Sequence, residues 1–287
     1  MWSAQKGWTV RLGDLIASIT PTRTGQGCYE ARPQDRGAGV VDAGSITALI
    51  AAAGADTDQP LRSLHATFFR TADPAKTLAL QVGELHSGRT VGVRSVSVAQ
   101  DGRDVAVAHL VVGPTTESLL EHATGPCTLP RVPDSEPPRT SAPHPGFTAV
   151  VGEVDPFDSS RTWAPTWQVW VDCQLVPRDN ALGAYLAFHA NEYLVAAAVL
   201  PHEGFGMREA HRGVLTVITS SDVVFHELSV IDRWVLFEQT STYAGAGWVY
   251  GRGAAYTQSG RLVASFSQQA ILRSATRAHP SQRTGPQ

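Results

Sequence analysis

The sequence is short of charge, of cysteine and of long apolar runs, and each shortage excludes something. Charged residues are only 17% of the 287, too few for a solvated, unstructured chain. Its 26 acidic and 23 basic residues leave a net charge of −3. That excludes the basic stripe with which nucleic-acid-binding proteins neutralise phosphates. The three cysteines, Cys28, Cys127 and Cys173, are far apart and odd in number. No CxxC or Cys/His pair has zinc-ligand spacing, and no disulfide framework is implied. They are expected as reduced thiols of a cytoplasmic protein. No basic start followed by an apolar run opens the chain, so no export leader is expected. The most apolar stretch, Ala181 to Leu200, is interrupted by His189, Asn191 and Glu192. It reads as a buried helix rather than a membrane span. There is no GxSxG elbow. The HEGFG and HELSV segments lack the second histidine of a zinc-protease helix, and GAGWVYG (Gly245 to Gly251) lacks the strand–helix setting of a dinucleotide loop. No cofactor and no metal are expected.

What the chain does have is 43% hydrophobic residues, enough for one large core or two ordinary ones. Residues 114–146 are rich in proline and polar side chains, which block regular elements. This predicts a linker between an N-terminal half (1–113) and a C-terminal half (147–273), with one short helical turn at Ser118–His122. Residues 274–287 read as a frayed tail. The halves match. Each has one alanine-rich helix, Ser45 to Gly54 and Leu182 to Leu200, followed by a run of alternating strands. Ala99–Ala108 (AQDGRDVAVA) and Thr257–Phe266 (TQSGRLVASF) are both strand, glycine turn, strand, a strong hairpin signal. Asp42 or Ser45 can cap the first helix. Asp179 or Asn180 can cap the second, and Pro201 stops it. A helix that is apolar nearly all round must be wrapped on most sides. A curved antiparallel sheet around each helix does this, an α+β double hotdog.

At this point a resemblance enters. Ser63–Pro74 (SLHATFFRTADP), His86–Gly102 (HSGRTVGVRSVSVAQDG), GAGVVDAG before the first helix, VVFHE around Phe225–His226, IDRWVLFEQTST and YTQSGRLVASFSQQAILR resemble the acyl-CoA thioesterase II (TesB-type) family of double-hotdog enzymes. The resemblance spans both halves but not the linker or tail. It implies hydrolysis of fatty acyl-CoA to fatty acid and CoA, with no covalent nucleophile. It further implies a water held by three residues of the second half: an Asp on the helix, a Thr or Ser on the next strand, and a Gln on the last strand. Such a site needs an oriented water, a proton acceptor and donors for the oxyanion. Carried over by position, the Gln is Gln268. Counting back from Pro201 puts the helix Asp at Asn191. Counting back from Phe225–His226 puts the Thr at Ile218, with Thr219 one step away and Thr216 two.

Each candidate also has a purely structural reading. On the strand Arg261–Leu272, Gln268 shares its face with Leu262, Ala264, Phe266, Ala270 and Leu272. It can fill a backbone gap, as buried amides often do. However, Gln268 lies eight residues after Gly260, and the same step from Gly102 reaches Leu110, so only the second half carries the amide. Asn191 sits in the apolar stripe of its helix, where it needs a bonding partner. His189 and Glu192 can pair on one helical face, or one of them can supply the missing base. By parity Thr219 and Ser221 share a face with Val223, while Ile218 falls on the opposite face with Ser220 and Asp222. Gly37, Ala38, Gly39 and Val40 precede the first helix, where backbone N–H groups can meet a thioester oxygen; there Gly39 and Val40 are the oxyanion candidates. The CoA phosphates are expected against surface Arg and Lys. The chain is therefore expected to hydrolyse acyl-CoA using Asn191, Thr219 and Gln268. The alternative is a regulatory protein that binds acyl-CoA without turning it over. A homo-oligomer fits either reading.

Overall fold

A computed structural model describes residues 11–36, 39–55, 59–133, 148–177, 180–210 and 214–274. Asp179, Gly37, Ala38 and the tail from residue 275 on lie outside the described residues. The first helix after the short α1 (Leu12–Ser18) is α2, Ala43–Gly54. Asp42 caps it, Oδ1 accepting the Ser45 N–H at 2.7 Å. This is the side-chain capping that an Asp just before an apolar run predicts. Thr47, buried mid-helix, turns its hydroxyl back to the Ala43 carbonyl at 2.7 Å.

The second helix is not the single element expected over Leu182–Leu200. It is α3, Asn180–Ala190, then a break, then α4, Leu194–Val199. The break has a local cause. The Asn191 and Glu192 N–H groups bond back only three residues, to the Phe188 and His189 carbonyls. This tighter spacing ends an α-helix. The Asn191 side-chain amide also donates to the Ala187 carbonyl at 2.9 Å, competing with the regular ladder. Asn180 belongs to the helix rather than capping it, and its amide reaches across to the Ala55 carbonyl at the end of α2.

The strands are β1 (Thr22–Gly25), β2 (Cys28–Ala31), β3 (Leu61–Phe68), β4 (Leu78–Ser87), β5 (Gly92–Gln100) and β6 (Arg103–Val112), then β7 (Thr148–Val150), β8 (Thr166–Asp172), β9 (Val214–Phe225), β10 (Trp234–Gly245), β11 (Trp248–Thr257) and β12 (Leu262–Ser274). Among the described residues they form one twelve-stranded sheet in the order β1-β2-β4-β5-β6-β3-β9-β12-β11-β10-β8-β7, with every neighbour antiparallel. Outward from the β3–β9 seam, the two sides repeat the same order of strands. This is the double hotdog, its two sheets joined edge to edge. Both predicted hairpins form. Asp101 and Gly102 take left-handed φ of 50° and 71°, as a two-residue mirror-image turn requires. Gly260, at φ 83°, sits in the second turn.

The core lies between the concave face of the sheet and the helices. Ile46, Leu49, Ile50, Leu64 and Leu110 belong to it, as do Leu186, Phe188, Val223, Phe237 and Phe266. A smaller cluster, Leu194, Ala198, Val249 and Ala270 with Ile218 against it, lies under α4. Residues Ser118–His122 form no helical turn. Leu119 and Leu120 are almost fully exposed, so nothing packs to offset the cost of nucleating so short a helix. No helix among the described residues is long and apolar enough to cross a membrane.

Candidate functional site

The site is built at the end of α3. On β12 the alternation predicted from sequence holds at its centre: Ala264, Phe266, Gln268 and Ala270 are buried, and Gln268 is 1% exposed. Its amide Nε2 donates to the Ala190 carbonyl, the last of α3. Its Oε1 accepts from Gln239 Nε2 on β10 at 2.9 Å. Gln268 therefore closes a helix terminus whose carbonyls have no partner within the helix. The matching residue of the first half, Leu110, only packs against Gly54 at the end of α2. The Gly54 carbonyl itself is closed by Arg94 Nη1 at 3.0 Å.

Three more polar side chains are buried within one neighbour of Gln268. Ser221 on β9 is its cross-strand partner and is 0% exposed. Gln239 is also 0% exposed, and Asn191 follows Ala190. Among the described residues Ser221 Oγ, Gln239 Oε1 and Asn191 Oδ1 have no hydrogen-bond partner. Leaving such groups buried and unmatched costs about 1–3 kcal/mol each, and groups of this kind are where a polar ligand or water is held.

Gln268 and Asn191 thus meet at one helix end. Thr219 does not join them. The ladder between β9 and β12 slips at Gln269/Ala270, where Thr219 is the extra residue. Its hydroxyl bonds the Gln269 carbonyl at 3.1 Å. A one-residue bulge reverses parity beyond it. Ile218 therefore lies on the concave face with Ser221, against Leu194 and Ala270, and not with Ser220 and Asp222. Ser221 and Gln239 were missed as partners of Gln268. Counting register outward from the two hairpin turns is the signal that could have found them.

His189 and Glu192 turn to different partners among the described residues. His189 is 1% exposed, within a shell of rings that includes Tyr185 at 4.6 Å and Phe237 at 5.7 Å, and its Nδ1 meets the Tyr193 hydroxyl at 2.7 Å. Burial, helped by the nearby Arg36 cation, holds the imidazole well below its usual range, so it is neutral. Glu192 instead binds Arg36 from the other half, Oε2 to Nη2 at 2.6 Å. Arg36 also approaches Asp42 at 3.5 Å and lies over the Phe188 ring at 4.9 Å. Burial pushes the Glu192 carboxyl above the usual carboxylate range, with Arg36 opposing and Asp42 adding to the rise. Burial disfavours the Arg36 charge, but the two carboxylates outweigh it and hold the guanidinium charged.

The start of α2 lies against this cluster. A Cβ on Gly44 would sit 2.9 Å from Glu192 Oε1 and 2.9 Å from the Phe188 carbonyl, so only glycine lets the two helices approach this closely. Gly39, exposed and at φ 68°, and half-buried Val40 precede the capping Asp42. On the outer face, across the seam, His65 Nδ1 meets Asp222 Oδ1 at 2.7 Å, away from these groups. A groove of about 1140 Å³ lies at the opposite end of the helix pair, lined by Ala55, Asn180, Arg62 and Arg261 among others.

Residues 32–113 match the model for an acyl-CoA thioesterase N-terminal domain, and residues 126–272 that for the C-terminal domain. The chain is 25% identical over 257 residues to acyl-coenzyme A thioesterase 8 of Homo sapiens, covering 79% of this chain and 77% of that one. It is 22% identical over 288 residues to acyl-CoA thioesterase 2 of Haemophilus influenzae, covering 91% and 98%. In fold it is similar to a tesB protein of Mycobacterium avium subs. paratuberculosis, with a TM-score of 0.71 at 19% identity, covering 91% of this chain and 99% of that one.

Proposed function

The chain belongs to the acyl-CoA thioesterase family, both of whose domains it carries, and we propose that it hydrolyses acyl-CoA thioesters to free acid and CoA at the end of α3. The observation that carries this reading is the group of unmatched buried polar atoms around Gln268: Ser221 Oγ, Asn191 Oδ1 and Gln239 Oε1. Thioester hydrolysis needs a water fixed near the carbonyl and donors for the charge that grows on its oxygen. Gln268 and Asn191 hold the water, and Ser221 is the hydroxyl beside them. Gly39 and Val40 lead into the first turn of α2, whose N–H groups and dipole favour the thioester oxygen.

Asn191 has no basic oxygen of carboxylate strength, so it orients water and does not deprotonate it. The same reading includes a cytoplasmic setting and a homo-oligomer built from the fused pair. The test is thiol release from acyl-CoAs of increasing chain length by the full chain. Release that falls at least a hundredfold in Gln268→Ala supports the reading, removal of one aligned polar group being worth about that much. Binding of every acyl-CoA with no thiol released would refute it.

A further inference from the structure

We propose that Glu192 is the general base of this site: its Oε1 takes a proton from the attacking water and hands it to the departing CoA sulfur. The proposal rests on the reading of the site as a thioesterase. The water O–H bond breaks as its oxygen bonds the thioester carbonyl carbon. The C–S bond then breaks, the sulfur keeps the electron pair and takes the proton from the Glu192 carboxyl, and the carboxylate is restored. Water and thioester become acid and thiol with nothing left over.

Three observations single out Glu192. The first is position. Gln268 holds the Ala190 carbonyl, and Glu192 lies two residues further along the same break. Its Oε1 faces the start of α2, where it would be 2.9 Å from a Cβ on Gly44. Without that Cβ the carboxylate packs directly against the first turn of α2, the segment whose N–H groups favour the thioester oxygen. The second is valence. Asp42, the other carboxylate here, is fully engaged: Oδ1 accepts from the Ser45 N–H at 2.7 Å, Oδ2 accepts from the Ser45 hydroxyl at 2.9 Å, and Oδ2 also faces Arg36. Glu192 spends only Oε2 on Arg36, and its Oε1 has no hydrogen-bond partner among the described residues. The third is access. The Glu192 side chain keeps 18% of its surface exposed, whereas His189, the other candidate, is 1% exposed inside its shell of rings.

The groups facing Glu192 are Arg36 and Asp42 from the first half and Tyr193 from its own segment, with neutral His189 one turn back. Arg36 acts as a positioning residue: it fixes one carboxylate oxygen so that the other faces the first turn of α2. Burial raises the proton affinity of the carboxylate and so makes it a stronger base at neutral pH.

The test is the pH profile of thiol release by the full chain. In Glu192→Gln, kcat should fall about 100- to 10,000-fold, the usual contribution of a general base, with KM nearly unchanged and the acid limb lost. Asn191→Asp added to Glu192→Gln should restore part of kcat by placing a carboxylate one residue away. Arg36→Gln should move the acid limb to higher pH, since a cation that lowers the carboxyl is gone. It also serves as the test should Glu192→Gln fail to fold by circular dichroism. Wild-type-like kcat and acid limb in Glu192→Gln, or an unmoved acid limb in Arg36→Gln, overturns the assignment while leaving hydrolysis standing. No release by the wild type at any chain length overturns hydrolysis and this assignment together.

Discussion

Replacing Gln268 by leucine, the residue the first half carries at the matching step, separates what the amide does for the fold from what it does for chemistry. In the native chain Gln268 satisfies the Ala190 carbonyl and the Gln239 amide, both buried. Leucine orphans both, at about 1–3 kcal/mol each. Burial of the new apolar side chain offsets about 2 kcal/mol of that. The net loss is about 0–4 kcal/mol, and each kcal/mol lowers the midpoint by roughly 2 °C in a chain of this size. Adding Gln239→Leu removes one of the two orphans. The double variant should therefore recover about 1–3 kcal/mol relative to the sum of the singles, a coupling read directly from a double-mutant cycle in urea. Additivity to within about 0.5 kcal/mol would mean that the two amides do not support each other, and the picture of a bonded pair would fall. Turnover should be absent in Gln268→Leu whatever its stability.

Further tests concern neighbouring groups. Ser221→Ala should lower kcat about tenfold or more, while Thr219→Ala, on the bulge, should leave it within twofold; the reverse result would restore Thr219 to the site. Gly44→Ala forces a methyl against Glu192 Oε1 and the Phe188 carbonyl; overpacking of this kind costs about 1–3 kcal/mol, and a thermal midpoint equal to wild type would contradict it. His189 is neutral in the fold and its affinity for protons is depressed by burial. Its contribution to stability is therefore complete above the ordinary histidine value of about 6.5 and is lost as pH falls, by at most about 1.4 kcal/mol per pH unit down to its folded value. His189→Gln should flatten that part of the stability–pH curve, measured by denaturation at several pH values between 7 and 5.

The halves, the two hairpins and the Asp42 cap were legible because each is a local pattern: glycine at a turn, alternation along a strand, an acid before an apolar helix. Gln268 was legible because one polar residue interrupted an apolar face that its repeat keeps intact. The helix break at Asn191 was not. Leu and a run of Ala continue past it with high helix propensity, and what stops the helix is hydrogen bonding by Asn191 itself and by the end it shares with Gln268. Ser221 was hidden by the bulge at Thr219, since parity counted along one strand cannot register a residue that its partner strand skips. The tie between Arg36 and Glu192 was hidden because its partners are 156 residues apart, and nothing local in either segment names the other.

That distance has a consequence for how the site behaves in dilute solution. Arg36, Asp42 and Gly44 come from one half and Glu192, Asn191, Ser221 and Gln268 from the other, joined along the β3–β9 seam. Were the halves separate subunits, lowering the protein concentration would pull Glu192 from Arg36 and the start of α2 from the end of α3. Because both lie on one chain, each half meets the other at an effective concentration set by the connection, in the millimolar range for short flexible links. Specific activity should thus stay constant as the protein is diluted to nanomolar levels.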